Sequence, residues 1–160
     1  PNGLKPRVIS EPVMGIDWFP TFAHITNSNV SKNKIDGKNI WPLLSGETNK
    51  SPHKKLYFYY RVNELHSIRM NEWKIHFTRT YRSLNGKNGG VDGMPVKYDM
   101  NLLEKNELYN LKDDPEERNN VYDNFPEIAL EMEKLGRKAR EELGDNLTGE
   151  VGKENREAEK

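Results

Sequence analysis

The sequence contains no cysteine. That absence excludes disulfides, cysteine-ligated zinc and a cysteine nucleophile from these 160 residues. An excess of charge is also missing. Twenty-five Lys and Arg balance 25 Asp and Glu, so the formal net charge is zero. No overall field then draws the chain toward nucleic acid or anionic lipid, and neither is expected as a partner. No run of about 18 apolar residues occurs, so no membrane-spanning helix is expected. The first residues, PNGLKPR, hold neither a starting Met nor an apolar signal core. We therefore expect a piece of a longer chain. Hydrophobic residues are scarce, at 34%, while 31% are charged. Such a chain has a small core, is disordered in part, or leans on a body outside it.

Residues 7–17, RVISEPVMGID, mix β-branched residues with Pro and Gly and read as an irregular or edge strand, then a loop. Residues 17–26, DWFPTFAHIT, read as a short helix capped by Asp17, with Pro20 tolerated in its first turn. Residues 27–39 are loop-like, with a turn signal at Asp36-Gly37. Ile40, Trp41, Leu43 and Leu44 form a second apolar cluster. From Leu56 the pattern changes. LYFYYR, residues 56–61, reads as a strand from its aromatics. LHSIRM and WKIHFT alternate with period two around Asn71-Glu72, as a hairpin does. Residues 79–106 are rich in Asn-Gly and Asp-Gly and read as one long loop. ELYNL, residues 107–111, adds a strand. Ile128, Met132, Leu135, Ala139 and Leu143 then recur at spacings of three and four, giving a helix over 125–143 opened by Pro126 and closed by Gly144. Residues 145–160 are charged and carry almost no apolar side chain, so a frayed or disordered tail is expected.

The stretch ELYNLKDDPEERNN, residues 107–120, packs a strand, a reversal and several acids together. Asp114 is placed to cap a helical turn, with Pro115 at its first position and Glu117 at capping-box spacing. Its acids therefore read as structural, and Asp113-Asp114 alone do not make a calcium site. His24, His53, His66 and His76 form no close metal-binding pair, so zinc is weakly supported. His76 reads as solvent-facing or packed on a neighbour. The aromatic run 57–60 reads as one strand face rather than a sugar platform. The three glycosylation patterns at Asn29, Asn49 and Asn146 are most simply chance in so Asn-rich a chain.

Four ordered segments resemble the C-terminal part of the sulfatase family (arylsulfatase-like, in the alkaline-phosphatase superfamily). EPVMGIDWFPTFAHIT resembles its V-x-x-x-D-x-x-P-T segment, and IDGKNIWPLLSGE its D-G-x-x-x-x-P-L-L-x-G segment. LHSIRMNEWKIHF resembles the A-V-R-x-G-x-W-K-L-H-F hairpin, with Ser67 where Ala is usual and Asn71-Glu72 in place of x-Gly. ELYNLKDDPEERNNV resembles E-L-Y-D-L-x-x-D-P-x-E-x-x-N-L.

The resemblance implies an α+β piece. Residues 1–50 would trail from an α/β catalytic domain. Residues 51–145 would form a small antiparallel sheet of about four strands packed by a C-terminal helix, and 146–160 the tail. It implies a parent enzyme that hydrolyses sulfate esters, of carbohydrates or aryl sulfates, using calcium and formylglycine. Neither group is expected within this stretch. There is no Cys, and Ser10-Glu11-Pro12-Val13 does not fit the C/S-x-P-S/A-R nucleophile motif. No catalytic or metal residue is assigned, and the stretch alone is expected to be inactive. Family members are usually periplasmic, secreted or lysosomal, and we expect a periplasmic or secreted parent whose signal peptide lies outside this sequence. The subdomain would border the substrate, a sulfated small molecule or glycan, with Arg61, His66, Arg79 and Arg82 as candidate contacts, because Arg suits bidentate recognition of anionic oxygens. Ordinary exposed cations are the competing reading. Trp18, Phe19, Phe22, Trp41, Leu43 and Leu44 would pack on the rest of the catalytic domain, and without it the patch over residues 14–44 would drive self-association or leave the segment mobile. Two other readings compete: a stand-alone binding module for sulfated or acidic glycans, and a phosphate or phosphonate ester hydrolase of the same superfamily.

Overall fold

The computed structural model describes residues 6–30 and 34–155. The chain divides into two compact units, residues 1–54 and 55–160.

The first unit is built on two short helices, α1 (Trp18–Ile25) and α2 (Trp41–Ser45). No strand forms over residues 7–17; a 3-10 turn, Gly15–Asp17, leads directly into α1. Asp17 does not cap α1 through its side chain. It is fully buried and spends its carboxylate elsewhere, accepting the Met14 N–H at 2.8 Å, the Lys38 N–H at 2.9 Å and the His53 Nε2 at 2.8 Å. Burial pushes its carboxyl up, but these donors outweigh that and hold it below the usual carboxylate range. Thr21 completes the staple: its hydroxyl donates to the Asp17 carbonyl and accepts the Ile40 N–H. Gly37 lies so close to Ile16 that a Cβ would sit 2.2 Å from that carbonyl oxygen. The expected apolar patch is narrower than its six residues. Leu43 is buried together with Ile40, and Trp41 and Leu44 are half-buried. Trp18, Phe19 and Phe22 remain 44%, 58% and 56% exposed, the first and last with stacked rings.

The second unit is a four-stranded antiparallel sheet with one helix over it. Its strands are β1 (Lys55–Tyr60), β2 (Glu64–Met70), β3 (Trp73–His76) and β6 (Glu107–Asn110), paired in the order β1-β2-β3-β6. The β2–β3 hairpin turns on Asn71, whose φ of 55° is a conformation Asn tolerates better than most residues. Register pairs Ile68 with Ile75 and Ile75 with Leu108, so these side chains form one buried line across the sheet. Helix α3 (Pro126–Leu143) lies on that line with Ala129, Met132 and Ala139. Gly136 keeps the helix close, since a Cβ there would meet the Phe77 ring at 2.5 Å.

Two expectations fail here. Residues 79–106 are not one loop: β4 (Arg79–Ser83) and β5 (Asp99–Leu103) pair as a separate two-stranded sheet. The turn signals between them masked the pairing, and the Met100 and Leu102 side chains of β5 stay exposed rather than marking a core face. Residues 145–155 do not fray. Asp145 is fully buried, accepts the Leu65 and Leu147 N–H groups, and holds Arg140 Nε at 2.9 Å. The rest of the expected tail, 156–160, lies outside the described residues.

Removing Asp145 strands Arg140, whose side chain is only 15% exposed, and the Leu65 N–H. Asp145→Ala should lower unfolding stability by about 3 kcal/mol in urea denaturation. A change under about 0.5 kcal/mol, the usual size for a surface substitution, would show that the loop closes nothing.

Candidate functional site

Period-two alternation decides which side chains face away from α3. If Ile75 faces the helix, Lys74 and His76 face the other way. Register sets Lys74 beside Tyr109 and His76 beside Glu107. A bulge adds one more residue to this face. Phe58 pairs with Ser67 and Tyr59 with Leu65, which leaves His66 as the extra residue of β2. That one-residue slip lets both Leu65 and Ile68 reach the core, and it re-aims His66, as bulges commonly do beside functional sites.

The turn after β6 then closes over β3. It is not the capped helical turn its sequence suggests. Asp114 accepts the Asn119 N–H through its side chain, and the Glu117 N–H reaches the Asp114 carbonyl at 3.2 Å. Glu117 takes a φ of 56°, left-handed backbone that a Glu rarely adopts. Its carboxylate bridges β3, receiving Lys74 Nζ on one oxygen and His76 Nε2 on the other, each at 2.5 Å. The other imidazole nitrogen, Nδ1, accepts Arg79 Nη2 at 2.9 Å. With a donor facing Nδ1 and a carboxylate facing Nε2, the ring is neutral and carries its proton on Nε2. Burial pushes the His76 imidazole below its ordinary value, helped by Lys74 and Arg79 and opposed by Glu117. Burial pushes Glu117 up, but its hydrogen bonds from Lys74 and His76 prevail and leave it below the usual range. The Tyr109 ring meets the imidazole edge-on at 5.7 Å.

Arg79 is the hinge between two cavities. Its Nη1 donates to the Phe77 carbonyl at 3.0 Å and the His66 carbonyl at 3.3 Å, and its guanidinium lies over the Tyr81 ring. On one side a cavity of about 180 Å³ is lined by His76, Glu107, Tyr109 and Glu117. On the other a cavity of about 220 Å³ is lined by Tyr60, Arg61, His66, Arg79, Tyr81 and Arg82. The four residues singled out from the sequence thus surround one opening. Arg61 and His66 share Glu64 behind it, at 3.2 and 3.0 Å, and the Glu64 carboxyl is held below its usual range by the His66 hydrogen bond first. Three guanidinium groups, an imidazole and two phenol rings line this opening, with Arg79 already donating to the Phe77 and His66 carbonyls and to His76, so its lining is cationic and aromatic. His76, Lys74 and Glu117 were not foreseen as part of the site. Alternation placed the first two on the polar face, but the contact of Glu117 with them spans some forty residues and leaves no local trace.

Among the described residues, no three or more His, Cys, Asp or Glu are grouped to hold a metal ion. The sequence offers no C/S-x-P-S/A-R motif.

Comparison with known proteins places these features. Residues 51–157 match the family model described as the C-terminal region of aryl-sulfatase. Bovine (Bos taurus) arylsulfatase A is 29% identical over 135 residues, 82% of this chain and 26% of that protein. The chain thus spans about a quarter of that relative's length. A sulfatase structure from Pseudoalteromonas sp. superposes with a TM-score of 0.56 at 20% identity, over 76% of this chain and 24% of that one. A Bacteroides thetaiotaomicron structure, from work on the metabolism of multiple glycosaminoglycans, gives 0.54 at 21%, over 78% and 24%. At such identities the two structures establish a shared fold.

The neutral His76 has a measurable consequence. Its folded pKa lies below the ordinary value near 6.5, so the unfolded chain takes up the proton first as pH falls. In the window just below pH 6.5 the unfolded state binds more protons, and stability falls with pH. Urea unfolding at pH 7.5 and 5.5 should record that loss, and His76→Asn should shrink it. An equal loss in the variant would remove His76 from the account.

Proposed function

The chain belongs to the family of the C-terminal region of aryl-sulfatases, and from that premise we propose that it is the closing subdomain of a sulfatase whose larger catalytic domain hydrolyses sulfate esters of carbohydrates or aryl alcohols. The observation that carries this reading is the family match across residues 51–157, the span that holds two of the four resembling segments, LHSIRMNEWKIHF and ELYNLKDDPEERNNV. In this proposal the nucleophile, derived as formylglycine, and the calcium ligands belong to the rest of the parent, an exported protein. This stretch supplies scaffold and one wall of the pocket. Arg61, His66, Arg79 and Arg82 face the part of the substrate beyond the sulfate under attack. Clustering of all four around one opening supports that role. The exposed Trp18, Phe19 and Phe22 support docking of α1 on the catalytic domain. Burying the exposed half of each would recover roughly 1 kcal/mol of apolar transfer free energy, about half the value for full burial.

Two measurements test this. The purified 160-residue chain should turn over no 4-nitrophenyl sulfate, and the reading frame upstream of Pro1 should encode a C/S-x-P-S/A-R motif. Turnover by the chain alone, or no such motif upstream, would overturn the reading. Tight binding of a sulfated glycan by the isolated chain, surviving moderate salt, would favour the stand-alone binding module instead. Separately, the isolated chain should associate with rising concentration in sedimentation velocity, and Phe22→Asp should shift it toward monomer. A wild-type chain that stays monomeric at high concentration would remove the patch from the docking account.

A further inference from the structure

We propose that Glu117 and His76 are positioning residues for Arg79, so that the turn after β6 sets the anion-facing wall of the larger cavity. The proposal rests on the reading that this cavity borders substrate, and its test separates the two. Arg79 is held on one end by backbone: the Phe77 and His66 carbonyls take Nη1. Those acceptors cannot be tuned by sequence. On the other end, Nη2 is held by the His76 Nδ1. That nitrogen accepts only while its own ring proton sits on Nε2, which is where the Glu117 carboxylate draws it. Lys74 on the second carboxylate oxygen stops Glu117 from turning away. The guanidinium Nε is buried without a hydrogen-bond partner among the described residues. Arg79 therefore carries an unsatisfied donor, and only its held ends fix the direction of the fork.

The backbone of Glu117 argues in the same direction. A φ of 56° is uncommon for a residue with a Cβ, and a glycine would adopt it without strain. A glycine would have no carboxylate to reach His76 and Lys74. Among the described residues, the charged or titratable groups around the imidazole are Glu117 from the turn, Lys74 from β3, Arg79 and Tyr81 from β4, and Tyr109 and Glu107 from β6. When His76 gains a second proton, Nδ1 becomes a donor pointed at a cation, and the hold on Arg79 is lost.

The imidazole can be mimicked one nitrogen at a time. Asn places a carbonyl oxygen near the Nδ1 position, while Gln places an amide donor near Nε2. Two quantities are read in the 160-residue chain: the Arg79 Nε–H cross-peak, identified by its loss in Arg79→Lys, and its response to added inorganic sulfate. The wild type should bind sulfate with an affinity on the order of millimolar, because only one wall is present. His76→Gln should shift or broaden the cross-peak and weaken sulfate binding about tenfold, the scale of one charge-assisted hydrogen bond. His76→Asn should stay within about twofold of wild type. Glu117→Gln keeps the turn but frees the tautomer, and should move the cross-peak as His76→Gln does. If Asn and Gln at position 76 behave alike, the positioning role is wrong. If they differ in the cross-peak while the wild type ignores sulfate, positioning stands and the substrate wall fails.

Discussion

The buried line of Ile68, Ile75 and Leu108 under α3 constrains almost everything else in the second unit. A strand cannot turn its odd residues inward without turning its even residues out. Once Ile75 is committed to the helix, Lys74 and His76 share the opposite face with Glu107 and Tyr109. That face is partly covered, so its charges need partners. Glu117 supplies one carboxylate to two of them, and Arg79 takes the remaining imidazole nitrogen. The polar network is thus a consequence of core packing on the other side of the same four strands.

Burial and electrostatics work against each other within that network. Desolvation favours the neutral forms of His76 and Glu117 alike. His76 yields and stays neutral. Glu117 does not, because two donors favour its charged form. The result is one anion between a cation and a neutral ring, with the cation of Arg79 beyond. The larger cavity, by contrast, gathers Arg61, Arg79 and Arg82 around His66, with Glu64 set behind. Both cavities share Arg79 and Tyr81, so a change in one bears on the wall of the other.

The first unit shows the same economy on a smaller scale. Asp17 was expected to cap a helix. It instead ties three segments together from a buried position, receiving Met14, Lys38 and His53. A helix N-cap is a local event that sequence can suggest. A carboxylate shared among residues 14, 38 and 53 needs the loop between the helices to be folded already.

The sequence by itself determined the elements whose cause is local. Alternation in LHSIRM and WKIHFT required a hairpin, the stripe from Ile128 to Leu143 required an amphipathic helix, and four spaced segments were enough to point to the family. Arg61, His66, Arg79 and Arg82 were singled out only through the family resemblance, together with the fitness of Arg for anionic oxygens; their meeting around one opening was not legible in the sequence. Only tertiary structure decided the rest. The β4–β5 ribbon offers only Met100 and Leu102 as an apolar alternation, too short to stand out among the turn signals before it, and Asp145 reads as tail until Arg140 and Leu65 arrive beside it. Glu117 reads as a turn residue until β3 passes beneath it. Local preferences fix which face a side chain takes; what waits on that face is set by strands far away along the chain.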